Sequence, residues 1–152
     1  MLSIADDIFE KINCFGVGRW LGDLALKLGF DLPGQNLSPG SFHTTNLGRG
    51  RILTIGRTDQ SMPDNKDALY LYRVQGGPSA PMPFGLNPVE ETLSSAMSKL
   101  SRDTAGGDAS DRRVSFFLNE GKVIELQFNE WMTGFGRILM AGLGGPIGWS
   151  ET

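Results

Sequence analysis

The chain has 152 residues and a formal net charge of −3 at pH 7, and this length suits one domain whose core needs no disulfide or metal. So weak a negative charge argues against a dedicated nucleic-acid-binding protein, which would be strongly basic or carry a concentrated basic stripe. With 21 glycines and 8 prolines, the composition predicts many turns and few long helices.

The cysteine content and the first residues indicate the compartment. The single cysteine, Cys14, excludes an intrachain disulfide, and a free thiol favours a reducing environment. Asp6 and Asp7 occupy positions where a secretory signal would carry positive charge. The glycine-rich run 138–149 is too short for the ~20 apolar residues of a spanning helix. We therefore expect a cytoplasmic protein that does not bind membranes.

Two helices are predicted near the N-terminus. Ile4, Ile8 and Ile12 recur at helical spacing, which predicts an amphipathic first helix. A second apolar stripe runs through residues 17–28 and stops at Gly29, a residue type that commonly ends helices. These two helices are expected to form a hairpin.

The middle of the chain reads as a loop followed by two strands. Residues 31–49 are rich in proline, glycine, serine and asparagine, which is typical of a loop that is ordered only in part. Residues 51–57 and 68–74 have strand composition and are expected to pair antiparallel. The connector that follows predicts a subdomain boundary near 76–81, within a single domain that spans residues 1–152.

A third helix is predicted over residues 88–100. Asn87 is a favourable N-cap, Pro88 suits the first helical position, and Glu90 is placed to reach back to the cap. The apolar stripe of this helix consists of Leu93, Met97 and Leu100.

A polar loop, residues 101–111, leads to a hairpin that turns at Asn119-Glu120-Gly121. Strand alternation predicts one apolar face, made of Val114, Phe116, Leu118, Ile124, Leu126 and Phe128, and it points Glu125 and Gln127 the other way. Residues 137–143 are a further candidate strand. The predicted fold is α+β, with N-terminal helices and a mostly antiparallel sheet on which the 88–100 helix packs.

No set of residues predicts catalysis or metal binding. His43 is the only histidine, which excludes a two-histidine metal site, and Cys14 has no histidine near it in sequence. The glycine run 142–148 has no helix after it to hold a phosphate. The loop aspartates lack the spacing of a calcium loop, so they are either solvated turns or an acidic patch for a cationic partner. We expect no catalytic residue, no metal and no cofactor.

The motif Pro81-Met82-Pro83-Phe84-Gly85-Leu86, followed by a helix containing Glu90-Glu91-Thr92-Leu93 and by the hairpin RVSFFLNEGKVIELQF, resembles small bacterial immunity proteins. Such proteins are encoded beside secreted antibacterial toxins, including effectors of type VI secretion. The resemblance implies that the protein binds a cognate toxin and blocks it without catalysis. This chain departs from the pattern at Asn87-Pro88-Val89, where a Gly-Met-Ser/Thr start is common. Alternatives are a secretion adaptor or chaperone that binds an effector without neutralising it, and a small hydrolase.

We expect a protein partner and no nucleic acid, with the protein itself a monomer or weak dimer. The residues predicted to contact the partner are polar or aromatic side chains of loops and outward strand positions: Asp59, Asp64, Asp67, Tyr72, Asp108, Asp111, Arg112, Glu125, Gln127 and Trp149.

Overall fold

The computed structural model describes residues 4–15, 17–33, 37–59, 69–78, 82–101, 106–108, 112–118, 121–144 and 148–149. The helices of this part are α1 (Ile4–Lys11), α2 (Gly18–Leu28) and α3 (Leu93–Lys99), with one 3-10 turn at Pro83–Gly85. Its strands are β1 (Cys14–Phe15), β2 (Phe42–Gly48), β3 (Arg51–Arg57), β4 (Leu69–Gly76), β5 (Gly106–Asp108), β6 (Arg113–Leu118), β7 (Lys122–Phe128), β8 (Phe135–Gly142) and β9 (Gly148–Trp149).

The described strands form one large sheet and one small one. The large sheet is antiparallel throughout and has the order β2-β3-β4-β8-β7-β6-β5. The small sheet pairs β1 with β9 in parallel. This architecture confirms the predicted α+β fold, with helices at the N-terminus and a mostly antiparallel sheet. The single domain and its boundary near 76–81 stay predictions.

One face of the large sheet, the core face, carries the helices. Aligned positions of neighbouring strands supply its buried centre, namely Leu53, Met140, Ile124 and Phe116, and the partly buried Val74 lies between Leu53 and Met140. Each helix adds buried side chains to the same cluster, including Ile8 of α1, Leu21 of α2 and Ala96 of α3. The molecule is therefore a two-layer arrangement of helices on one face of a sheet.

The N-terminal helices begin and end close to their predicted limits. Gly29 adopts the left-handed conformation with a φ of 73°, and its N–H donates to Ala25 O at 2.8 Å, which closes the last turn of α2. The Trp20 Nε1–H donates to Asp7 Oδ2 at 2.8 Å and ties α2 to α1. Helical spacing and a terminal glycine were sufficient signals for both elements.

The prediction of a loop over residues 31–49 is wrong for its second half, which forms the edge strand β2. Gly48, Arg49 and Gly50 have φ values of 82°, 55° and 75° and make the tight turn into β3. Asn46 Oδ1 accepts from the Gly48 N–H at 2.8 Å. The glycines and asparagine that lower the strand propensity of this segment thus build a hairpin, and Thr44 and Thr45 pair with Thr54 and Leu53.

The third helix begins at Leu93 rather than Pro88. Pro88 O accepts from the Phe135 N–H at 2.8 Å and Glu91 O from the Gly134 N–H at 2.6 Å, so neither carbonyl is used in a continuing helix. Thr92 caps the helix instead, because its hydroxyl accepts from the Ser95 N–H at 3.1 Å. The segment before α3 is a separate turn held by the loop that precedes β8.

The predicted hairpin is confirmed as β6 and β7, which place the predicted apolar residues on one face. Phe116 lies opposite Ile124 and Val114 opposite Leu126, all on the core face. The strand predicted at residues 137–143 is β8, which lies between β4 and β7 in the middle of the sheet. The large sheet is therefore built from strands of both halves of the chain.

Candidate functional site

The candidate site is the second side of the large sheet, which we call the outer face. Each helix contributes to the core-face cluster, and none contributes to the smaller cluster of Val123, Leu139 and Ala141. Register places these three residues side by side, because Val123 pairs with Ala141 and Leu139 with Glu125 on adjacent strands. They form a buried floor across the centre of the outer face.

Exposed aromatic side chains stand on both sides of this floor. Phe117 pairs with Val123 and is 56% exposed, and Phe42 on the edge strand β2 is 51% exposed. Large apolar side chains of this kind are costly to leave in water and are common anchors at protein interfaces. Their presence on a face without a described helix marks that face as a candidate docking surface.

Arginines surround the same floor. Arg73 of β4 pairs with Ala141, while Arg113 of β6 and Arg137 of β8 both pair with Gln127 of β7. All three arginines are exposed.

The glutamate of this face, Glu125, is half-buried. Its Oε1 lies 3.5 Å from Arg113 Nε, and its Oε2 accepts from the Ser115 hydroxyl at 3.4 Å. Glu125 therefore offsets part of one arginine's charge and leaves Arg73 and Arg137 as the more prominent cations of the described outer face.

Three aromatic side chains pack together at the β2 end of the outer face. The Phe42 and Tyr72 ring centroids are 4.7 Å apart, and those of Tyr72 and Tyr70 are 6.5 Å apart in an edge-to-face arrangement. Gly56 makes room for this group, because a Cβ there would lie 2.6 Å from Tyr70 Cζ. Burial of the Tyr70 hydroxyl, together with the nearby Tyr72 and Asp59, raises the pKa of Tyr70.

Part of the predicted contact set comes together on or beside the outer face. Tyr72, Glu125 and Gln127 lie on it, while Asp59 follows β3 and Arg112 precedes β6. The backbone positions of Asp108 and Trp149 are in β5 and β9. Asp64, Asp67 and Asp111 lie outside the described residues.

Sequence reasoning missed the arginines and Phe117, although a signal existed for some of them. Strand alternation around the predicted core positions Val114 and Phe116 already places Arg113 and Phe117 on the opposite face. For Arg73 there was no such signal. Simple alternation groups it with the buried Leu71, but a β-bulge at Tyr72 shifts the register, so that Thr54 pairs with Arg73 and Ile55 with Leu71.

Two buried polar groups were also missed, and both belong to the core side. Lys122 is 4% exposed, and its Nζ donates to Phe9 O at 3.0 Å and Glu10 O at 2.7 Å, at the end of α1. Glu91 is 1% exposed and accepts from the Asn87 N–H at 2.7 Å, from Lys99 Nζ at 2.9 Å and from the Ser95 hydroxyl. These contacts hold the helices in place, and neither residue faces the outer surface.

The residues weighed for catalysis lie apart from the outer face. The Cys14 thiol is buried and points to Glu10 O and Ile12 O at 3.5 and 3.6 Å. His43 lines an open polar cleft of about 360 Å³ together with Asp31 and Thr45. An apolar cavity of about 80 Å³ lies between α1, α2 and the core face. Among the described residues, no group of three or more histidine, cysteine, aspartate or glutamate side chains could hold a metal ion.

Comparisons with protein families, with curated proteins and with solved structures find no match for this chain. Of the helices in the described ranges the longest, α2, has 11 residues, and none is long and apolar enough to cross a membrane.

Proposed function

We propose that the protein is a stoichiometric inhibitor that binds a protein partner through the outer face of its sheet. In line with the resemblance to immunity proteins, the partner is a cognate antibacterial toxin that would otherwise act in the same cytoplasm. One observation carries this proposal. Exposed Phe42 and Phe117 occur together with three exposed arginines on the side of the sheet opposite α1, α2 and α3.

The composition of the outer face supports binding to protein. Aromatic residues and arginine are enriched at protein interfaces and dominate the residues whose truncation weakens complexes most. On the outer face they surround a buried apolar floor of Val123, Leu139 and Ala141. This arrangement provides apolar anchors together with side chains that form directional hydrogen bonds.

The size of the outer face also suits a specific complex. Seven strands at ~4.8 Å spacing span about 29 Å, and a strand of seven residues is about 23 Å long. The product is about 670 Å², close to the ~800 Å² that one partner contributes to a standard interface. A single globular partner can therefore cover most of the face.

The direct test uses the product of the neighbouring gene. We expect the two purified proteins to form a stable complex of fixed stoichiometry, and co-expression to restore growth of cells that produce the toxin. Failure to bind and failure to rescue together would contradict the proposal. Binding without rescue would identify the protein as a secretion adaptor or chaperone.

A matched pair of variants locates the interface. Phe117→Ala removes an exposed apolar side chain from the outer face, whereas Leu26→Ala removes one that is 84% exposed on α2. We expect the first to weaken the complex about 10-fold to 100-fold, in the range of interface anchors, and the second to leave affinity unchanged. Equal effects of the two substitutions would place the interface elsewhere.

A further inference from the structure

We infer that the outer face recognises an acidic protein surface, one that presents carboxylates around an apolar centre. This inference rests on the proposed function, because it names the chemistry of the partner that the same face binds. It differs from the sequence-based expectation, in which loop aspartates predominated among the contact residues.

The first support is the geometry of the three arginines. Arg113 and Arg137 flank Gln127 from opposite sides, so their Cα atoms are about 10 Å apart. Arg73 lies beside Ala141, four residues from Arg137 along the neighbouring strand, which corresponds to about 14 Å. The arginines thus stand around the floor and do not form a line or a single cluster.

The second support is the charge of this face relative to the whole chain. The chain has a net charge of −3. On the outer face, Arg113 lies beside Glu125 and opposite the register position of Asp108, and Asp59 is near Tyr70 at the β2 end. The exposed Arg73 and Arg137 therefore form the basic part of this face. Like charges facing one another across an interface are costly, so an overall acidic protein with a basic face favours a partner with local negative charge. Guanidinium groups form paired hydrogen bonds with carboxylates, which adds geometric specificity.

The centre of the face favours protein over nucleic acid. Phe117 is exposed beside the apolar floor, and Phe42 is exposed on the edge strand β2, with β3 and β4 between it and the floor. Lys122, the lysine of β7, turns to the core face and holds α1. Affinity for nucleic acid depends mainly on many phosphate contacts, and a net negative chain opposes it. Three arginines around apolar side chains instead match a protein surface with an apolar centre and an acidic rim.

The first experiment measures binding to the product of the neighbouring gene. The double variant Arg73→Glu/Arg137→Glu should bind about 100-fold more weakly, mainly through slower association, and its association rate should depend less on salt. Arg19→Glu/Lys27→Glu is the matched control, because it reverses two charges at exposed positions of α2, an element of the core-face side. The control should change affinity less than about 3-fold. Equal losses for the two variants would overturn the inference.

A second experiment does not need the neighbouring protein. At pH 7 and low salt, a protein of pI ≈ 5.1 should bind immobilised polyglutamate only if it has a basic face. We expect retention of the wild type and of the control Arg19→Glu/Lys27→Glu, and loss of retention for Arg73→Glu/Arg137→Glu. Duplex DNA and single-stranded RNA serve as competing probes.

The outcomes separate the two proposals. If the neighbouring protein does not bind but arginine-dependent retention on polyglutamate is observed, the proposed function fails and the inference on partner chemistry stands. If the complex forms and Arg73→Glu/Arg137→Glu neither weakens it nor changes retention, the inference fails alone. Arginine-dependent binding to DNA or RNA at salt that releases polyglutamate would overturn it in favour of nucleic acid. Because the substituted residues are exposed, each variant should keep its thermal unfolding midpoint within a few degrees.

Discussion

The two faces of the large sheet use charged side chains in opposite ways. On the core face Lys122 is 4% exposed, and its ammonium group donates to two carbonyl oxygens at the end of α1. On the outer face Arg73 and Arg137 extend into solvent from the neighbouring strands β4 and β8. A buried cation must have its donors satisfied, whereas an exposed cation stays hydrated and available to a partner. The core face therefore depends on its charges for stability, and the outer face has charges that stability does not require.

The largest expected effect follows from removing Lys122. Lys122→Ala should lower the free energy of unfolding by about 3 kcal/mol, because two carbonyls at the negative end of α1 lose a charged donor and a buried stem leaves a void. Arg73→Ala should change it by less than about 0.5 kcal/mol. Urea unfolding monitored by circular dichroism measures both. Equal losses for the two variants would remove the distinction between the faces.

A smaller effect is expected at Glu91. Burial of this carboxyl opposes its ionisation, but hydrogen bonds from Ser95, Lys99 and the Asn87 N–H, together with the Lys99 charge, outweigh burial and lower the pKa of Glu91. Glu91→Gln should therefore cost about 2 kcal/mol at pH 7.

The pH dependence of this loss gives a sharper test. A lowered pKa in the folded state stabilises the fold above the ordinary value of 4.5, and this contribution disappears as the pH falls through the folded pKa. The difference in unfolding midpoint between wild type and Glu91→Gln should thus shrink between pH 5 and pH 2. Glu125→Gln on the outer face, where the ion pair is partly exposed, is the control and should lower the free energy of unfolding at pH 7 by less than about 1 kcal/mol. A Glu91→Gln difference that does not vary with pH would contradict the assigned role of its charge.

Elements whose pattern is local were predictable from the sequence. Alternation in residues 113–118 and 122–128 was enough to assign the faces of the hairpin, because its two strands are adjacent in both sequence and space. Helical spacing and Gly29 located α2 for the same reason. Elements that the sequence did not predict are held by hydrogen-bond partners that are distant along the chain. The turn before α3 is held by N–H groups of Gly134 and Phe135, which no pattern near residue 88 reveals.

The candidate site was less predictable than the fold for the same physical reason. Arg73 and Arg137 share one face only because β8 pairs with β4, which precedes it by more than sixty residues. The bulge at Tyr72 then decides which face Arg73 occupies. Loop composition favoured the aspartates as predicted contact residues. The arginines of the outer face are spread over three strands and share no motif. Recognition surfaces built across a sheet generally leave little trace in linear sequence.

The smallest expected effect concerns Tyr70, whose hydroxyl group is on a buried side chain of the outer face. Tyr70→Phe keeps the ring that lies over Gly56, so stability at pH 7 should change little. Above pH 10 the wild type should lose more stability than the variant, because a raised pKa in the folded state keeps the hydroxyl neutral while the unfolded chain ionises. Thermal unfolding at pH 9 and pH 11 measures this difference. Burial is the largest cause of the shift, so 1 M NaCl should leave most of the difference in place; its disappearance in salt would show that Tyr72 and Asp59 dominate instead.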